Sequence, residues 1–138
     1  APLQSRKIPE ILGNSKSVHT VSRVKEVEKI DLLYKNHEIF VQINIDNDPK
    51  KSGINPNDVQ KFFEKFENYS FFPNGIMCIP DINSDPRESF KNMNDINQKL
   101  LDNYKQYSGE LSMGMSADYK IALDYGATII RVGSKIFK

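Results

Sequence analysis

The residues whose types and spacing suit chemistry lie near the end of the chain. Gly109-Glu110-Leu111-Ser112-Met113-Gly114-Met115-Ser116-Ala117-Asp118-Tyr119-Lys120 is followed by Gly126-Ala127-Thr128-Ile129-Ile130-Arg131-Val132-Gly133-Ser134-Lys135-Ile136-Phe137. The pattern predicts a strand, a polar turn, a short helix, a second strand and a second polar turn. Both turns set small residues beside backbone N–H groups that can face an anion, which suits a phosphate held between two loop ends. Ser116 precedes the expected helix and is a candidate N-cap with its hydroxyl at the mouth. Gly133 lacks a Cβ and lets the backbone approach a ligand closely, and Ser134 adds a hydroxyl and an N–H. Gly114 and Met115 place more backbone next to the same turn. Arg131 stands between Ile130 and Val132 in an apolar strand, where an unpaired guanidinium is costly to bury. It faces either outward into a salt bridge or inward toward a ligand.

Such loops need a scaffold, and the rest of the chain predicts one. The β-prone run Ser17-Val18-His19-Thr20-Val21 leads into residues 22–33, where Val24, Val27, Ile30 and Leu33 form one apolar helix stripe. Residues 39–45 are rich in β-branched types and predict a strand, followed by a loop at Asn47, Asp48, Pro49 and Gly53. Asn55-Pro56 marks a helix start ahead of Val59, Phe62, Phe63 and Phe66. The apolar run 75–80 predicts a strand covered on both faces, and Asp85-Pro86 opens a helix carrying Phe90, Met93, Ile96, Leu100 and Leu101. Residues 111–115, 117–125 and 127–132 predict strand, helix and strand, with Gly126 closing the helix. About five strands, most followed by a helix, argue for a parallel β/α architecture. A complete (β/α)₈ barrel needs about 250 residues. The 138 residues here therefore predict an open parallel sheet or the back part of a barrel.

Composition narrows the function classes. The chain is 38% hydrophobic and 27% charged with a net charge of +1, so no whole-protein field favours nucleic acid or a membrane surface. One cysteine, Cys78, excludes an intramolecular disulfide. No apolar run long enough to span a bilayer and no signal-peptide pattern is visible, so a cytoplasmic location is expected. His19 and His37 have no Cys or carboxylate neighbours at metal spacing, and no metal is expected. No nucleophile-elbow, Walker or dinucleotide glycine pattern occurs. Asn44 and Met77 sit inside strand signals and either line a barrel interior or pack there. Met113 and Met115 more often fill core gaps than touch ligands.

The tail Leu-Ser-Met-Gly-Met-Ser-x-Asp-Tyr, then Gly-Ala-Thr-x-x-Arg-x-Gly-x-x-Ile-Phe, closely resembles the pyridoxal phosphate homeostasis protein family. Those proteins are similar to the N-terminal barrel of alanine racemase. Four further segments agree in order. Pro2-Leu3-Gln4-Ser5 with Lys7 resembles the family's Leu-Gln-x-Asn-Lys, and Val18-His19-Thr20-Val21 resembles its His-Ser-Val strand. Gln42-Ile43-Asn44-Ile45 with Lys51-Ser52-Gly53 resembles Val-Asn…Lys-x-Gly, and residues 75–80 resemble Gly-Leu-Met-x-Ile-Pro. The resemblance spans residues 2–137.

The resemblance implies an alanine racemase N-terminal-like (β/α)₈ TIM-type barrel, here incomplete, with about its last five units in a single domain over 1–138. It implies pyridoxal 5′-phosphate (PLP) as cofactor at the C-terminal ends of the strands. Ser116, Gly133 and Ser134 would hold the phosphate, with Gly114 and Met115 beside it. Arg131 would face the pyridine nitrogen, where a guanidinium disfavours a protonated ring and weakens it as an electron sink. Asn44 would line the site. The implied function is a non-catalytic role in cofactor homeostasis. The departures are Arg6 where the family has Asn, and Ser134 where it has Thr. The family's cofactor-linking lysine lies ahead of Leu3-Gln4, outside these residues, so the chain alone is expected to bind PLP weakly or not at all. A PLP-dependent racemase-like enzyme would need that lysine and a second acid/base group, and no such pair is identifiable. A fragment without cofactor function is the remaining alternative. Full-length relatives are expected to be monomeric, whereas this chain could self-associate through exposed sheet edges.

Overall fold

The structure, a computed structural model, describes residues 7–14, 17–133 and 135–137. Four strands form a parallel sheet in chain order: β1 (Ser17–Val21), β2 (Glu38–Gln42), β3 (Gly75–Met77) and β4 (Glu110–Ser112). β5 (Ile130–Val132) joins β4 through a parallel bridge between Ser112 and Ile129, and pairs antiparallel with β6 (Lys135–Phe137). Sequential parallel order with a helix in each crossover is the arrangement of a (β/α) barrel, since a doubly wound sheet would reverse its order.

The crossovers carry α2 (Val24–Leu33), α3 (Val59–Glu64), α4 (Pro86–Asn103) and α5 (Tyr119–Asp124), and α1 (Ile8–Asn14) precedes β1. Their starts follow from local chemistry. A 3-10 helix (Pro56–Asp58) leads directly into α3, and there the Asn55 Oδ1 accepts from the Asn57 N–H at 2.9 Å; at α4 the Asp85 Oδ1 accepts from the Arg87 N–H at 3.0 Å, each with proline next in the chain. At α2 the work falls to Glu26. It is 1% exposed, and its Oε1 accepts the N–H groups of Ser22 and Arg23, both at 2.9 Å. Its second oxygen pairs with the Arg23 guanidinium at 3.2 Å.

Strand side chains alternate between two faces. Phe40, Met77 and Ile129 cluster on the inner face. Ile39, Val41, Ile76, Cys78 and Leu111 face the helices, where they join the main core with Ile30, Phe63, Phe66, Phe90 and Leu100. An aromatic cluster anchors the outer layer: the Phe63 ring lies 5.9 Å from Phe66 and 5.5 Å from Tyr107, and Phe66 lies 5.4 Å from Phe71.

Several expected boundaries shift. β2 stops at Gln42 because the chain then bends, and Ile43 instead bridges to Ile54. β3 stops at Met77, although Cys78 stays buried. Phe66 lies in a 3-10 turn (Lys65–Asn68) after α3, and Leu33 falls off the apolar stripe, 39% exposed. α1 and β6 carry no periodic pattern long enough to predict them: one is 7 residues with Gly13 inside, the other 3.

Gly75 fixes the β3–β4 register. A Cβ there would collide with the Glu110 carbonyl and come within 2.7 Å of the Phe40 ring. Gly75→Ala is expected to destabilise the fold by about 2 kcal/mol or more, as overpacking of backbone does. A urea-unfolding midpoint checks this.

Candidate functional site

Both polar turns of the tail leave C-terminal ends of parallel strands, and pairing brings them together. The Met113 N–H donates to the Ile129 carbonyl at 3.1 Å, and the Arg131 N–H to the Gly114 carbonyl at 2.9 Å. At Gly114 (φ +105°) the chain passes against α5, where an added Cβ would meet the Ala122 Cβ at 2.8 Å. Only glycine permits both the backbone angle and the approach. Met113 is buried in the core, while Met115 is 47% exposed at the mouth.

The turn at 115–118 is closed by Asp118, not by Ser116. The Asp118 carboxylate accepts the Met115 N–H at 2.8 Å, and the Met115 carbonyl accepts from Asp118 (3.0 Å) and Tyr119 (2.8 Å). This corrects the expected helix start: α5 begins at Tyr119 rather than Ala117, because the Asp118 side chain closes a turn first. Ser116 is therefore no N-cap. Its hydroxyl reaches across and accepts the Gly133 N–H at 3.1 Å, linking the two turns directly. Among the described residues no acceptor pairs with the N–H groups of Ser116 or Ala117. Gly133 has φ +63° and open space where a Cβ would stand. Ser134 lies outside the described residues.

Arg131 shares the inner face with Ile129, two residues earlier on the strand. Its guanidinium donates to the Cys78 carbonyl at 3.2 Å. It makes no salt bridge among the described residues, so the outward ion-paired alternative is not what forms. Burial pulls its pKa below the ordinary arginine value, with Cys78 and Asp118 opposing the drop. Burial also pushes the Cys78 thiol up to about 12, while Arg131 pulls it the other way. The thiol is thus neutral and inert in the folded chain.

Asn44 has a different occupation. Its amide donates to the carbonyls of Asp48 (2.7 Å) and Lys51 (3.3 Å), and its Oδ1 accepts from the Asp48 N–H at 3.1 Å. Both side-chain donors are committed to the loop after β2. Gly53 (φ +120°) packs on the same loop, where a Cβ would lie 2.6 Å from the Asn44 nitrogen. Of the expected site, the structure thus gathers Gly114, Met115, Ser116, Arg131 and Gly133, while Asn44 shapes a neighbouring loop. The residues that sequence reasoning missed are Asp118 and the carbonyl of Cys78. Asp118 carried a signal as a turn-forming residue two positions after Ser116. The Cys78 carbonyl carried none, since a backbone acceptor has no sequence signature.

A parallel β/α array with its glycine-bearing, anion-suited turns gathered at strand C-termini defines a protein of the TIM-barrel type, present here as a partial barrel. The chain belongs to the family described as alanine racemase, N-terminal domain, whose family model matches residues 2–138. Among its curated relatives is the pyridoxal phosphate homeostasis protein of Aquifex aeolicus, 29% identical over 98% of this chain and 63% of that protein. The protein of the same name from Vibrio cholerae is 34% identical over 99% of this chain and 61% of its own length. The chain thus spans about three-fifths of the length of these relatives. PipY of Synechococcus elongatus, solved with PLP bound, superposes with a TM-score of 0.86 at 25% identity, covering 97% of this chain and 66% of PipY.

Two outcomes follow from the geometry. Asp118→Ala removes the acceptor of the Met115 N–H and should speed hydrogen exchange at that amide about fivefold to tenfold, equivalent to about 1 kcal/mol. Asp118→Asn, which keeps an acceptor oxygen, should stay near the parent rate. Cys78 has a folded pKa near 12 against an ordinary 9.0. Its buried neutral thiol contributes stability that is complete below pH 9 and is lost as pH rises toward 12. Urea midpoints should fall across that window, with a shallower fall in Cys78→Ala.

Proposed function

We propose that residues 1–138 form one PLP-binding barrel unit of a cofactor-homeostasis protein, one that holds the cofactor without performing catalysis. The observation that carries the proposal is the Ser116–Gly133 hydrogen bond of 3.1 Å. It juxtaposes two turns that together offer a hydroxyl and the N–H groups of Ser116 and Ala117, and PipY, whose fold this chain shares, was solved with PLP bound. A phosphate dianion takes this kind of donor set, and the open space at Gly133 leaves room for it. Arg131 fits the ring side of the ligand, being a charged donor on the inner face of the same end. PLP, when bound, supplies an electron-withdrawing ring. Arg131 opposes protonation of the ring nitrogen and so dampens that property, which suits a carrier better than a catalyst. The names of the relatives, homeostasis proteins rather than enzymes, support the same reading. Ser134 remains part of the proposed phosphate set. Asn44 acts by holding the loop after β2, and self-association through sheet edges remains part of the reading for this length of chain.

Equilibrium dialysis tests the proposal. The chain is expected to retain PLP weakly and reversibly, to retain pyridoxal at least about tenfold less, and to lose about tenfold in PLP affinity in Ser116→Ala, the worth of one hydrogen bond to a charged group. Borohydride treatment should mark no single lysine. Equal retention of PLP and pyridoxal, or one lysine carrying all the label, would contradict it.

A further inference from the structure

We propose a second ligand site, separate from the tail turns: an acidic cleft that takes a small organic cation bearing primary ammonium groups. The cleft, of about 470 Å³, lies between the loop after β2, the loop after β3 and the first turns of α4. Asp46, Asp81, Asp85 and Glu88 line it. Lys51 is the one cation paired with this group among the described residues, 3.2 Å from Asp46 and 3.7 Å from Asp81. Carboxylates therefore outnumber the paired cation by three, in a chain whose net charge is +1. Some carboxylate oxygens hold the backbone. Asp46 Oδ2 accepts the Asp81 N–H at 2.5 Å, Asp81 Oδ1 the Asn83 N–H at 2.9 Å, and Asp85 Oδ1 the Arg87 N–H at 3.0 Å. Asp46 Oδ1, Asp85 Oδ2 and both Glu88 oxygens have no partner among the described residues.

The second observation is Ser89. It lines the cleft and is only 6% exposed, yet its hydroxyl has no hydrogen-bond partner among the described residues. A buried serine on a helix ordinarily satisfies its hydroxyl within the protein. The hydroxyl of Ser89 is not sealed in, since no wholly enclosed side-chain polar atom lacks a partner. Ser89 is among the residues that line the cleft. A neutral hydroxyl at the floor with carboxylates at the rim is complementary to an ammonium, which brings three donors and one positive charge. No three acidic, His or Cys side chains among the described residues converge tightly enough for a metal ion. The spread of charge fits a diamine better than a point cation, and Ile45 offers an apolar wall for the alkyl part.

The experiment is an amide chemical-shift titration of the whole chain with 1,3-diaminopropane, with 1,3-propanediol as the uncharged control. Saturable shifts are expected at residues 45–46, 81–85 and 88–92, absent with the diol, and weakened about threefold or more on raising salt from 10 to about 150 mM, as for a partly exposed ion pair. Glu88→Gln should weaken the diamine about threefold to fivefold. Ser89→Ala should weaken it by a similar factor while leaving the fold unchanged by circular dichroism. Should Ser89→Ala unfold, Glu88→Gln alone decides. Non-saturating shifts, equal shifts with the diol, or affinity unchanged in a folded Glu88→Gln chain would overturn the proposal. None of these outcomes depends on PLP binding.

Discussion

The candidate site depends on one backbone junction, the pairing of residues 111–114 with residues 127–131. The N–H groups of Thr128 and Ile129 both donate to the Leu111 carbonyl, at 2.9 and 3.2 Å. Met113 donates to Ile129 and Arg131 to Gly114. Thr128 ties the entrance further, its hydroxyl accepting the Leu111 N–H at 2.9 Å. These bonds run the two strands in the same direction, so their following turns emerge side by side. Ser116 can meet Gly133 only because this register holds. The inward direction of Arg131 follows from the same junction, since alternation from the buried Ile129 sets it.

The remainder of the sheet makes that junction rigid. β3 is buried along its whole length and is held on either side by β2 and β4. Cys78, one residue past its end, stays wholly buried and presents its carbonyl to Arg131. A half-buried guanidinium is costly without partners, and this carbonyl together with the nearby Asp118 carboxylate offsets the cost. Asp118 therefore serves both turns: it closes the loop at Met115 and adds negative charge beside Arg131.

Much of this was legible in the sequence, for physical reasons particular to each element. The helices starting at Pro56 and Pro86 were readable because a cap residue and proline mark both. The parallel class was readable because strand signals alternate with helix signals, and because residues 75–80 form a nearly continuous apolar run, as a strand covered on both faces must. Ser116, Gly133 and Arg131 were readable as a group because the family pattern keeps them at fixed spacing. What was not legible depended on competition between similar groups. Ser116 and Asp118 are both good caps, and only the folded backbone decides that the carboxylate reaches Met115 while the hydroxyl reaches Gly133. Asn44 reads as a strand residue, yet the chain bends there and its amide satisfies the bend. The Arg131–Cys78 contact joins residues 53 apart through a backbone atom, beyond any local pattern.

The central claim is that the Ser116 and Gly133 turns form one anion-binding surface. Mapping amide chemical shifts of the chain during PLP addition tests it most directly. The account predicts that the largest changes fall on the amides of Ser116, Ala117 and Gly133, with Arg131 and Cys78 following. Changes centred instead on the open cleft between Gly53 and Asn68, with the tail turns unmoved, would contradict it.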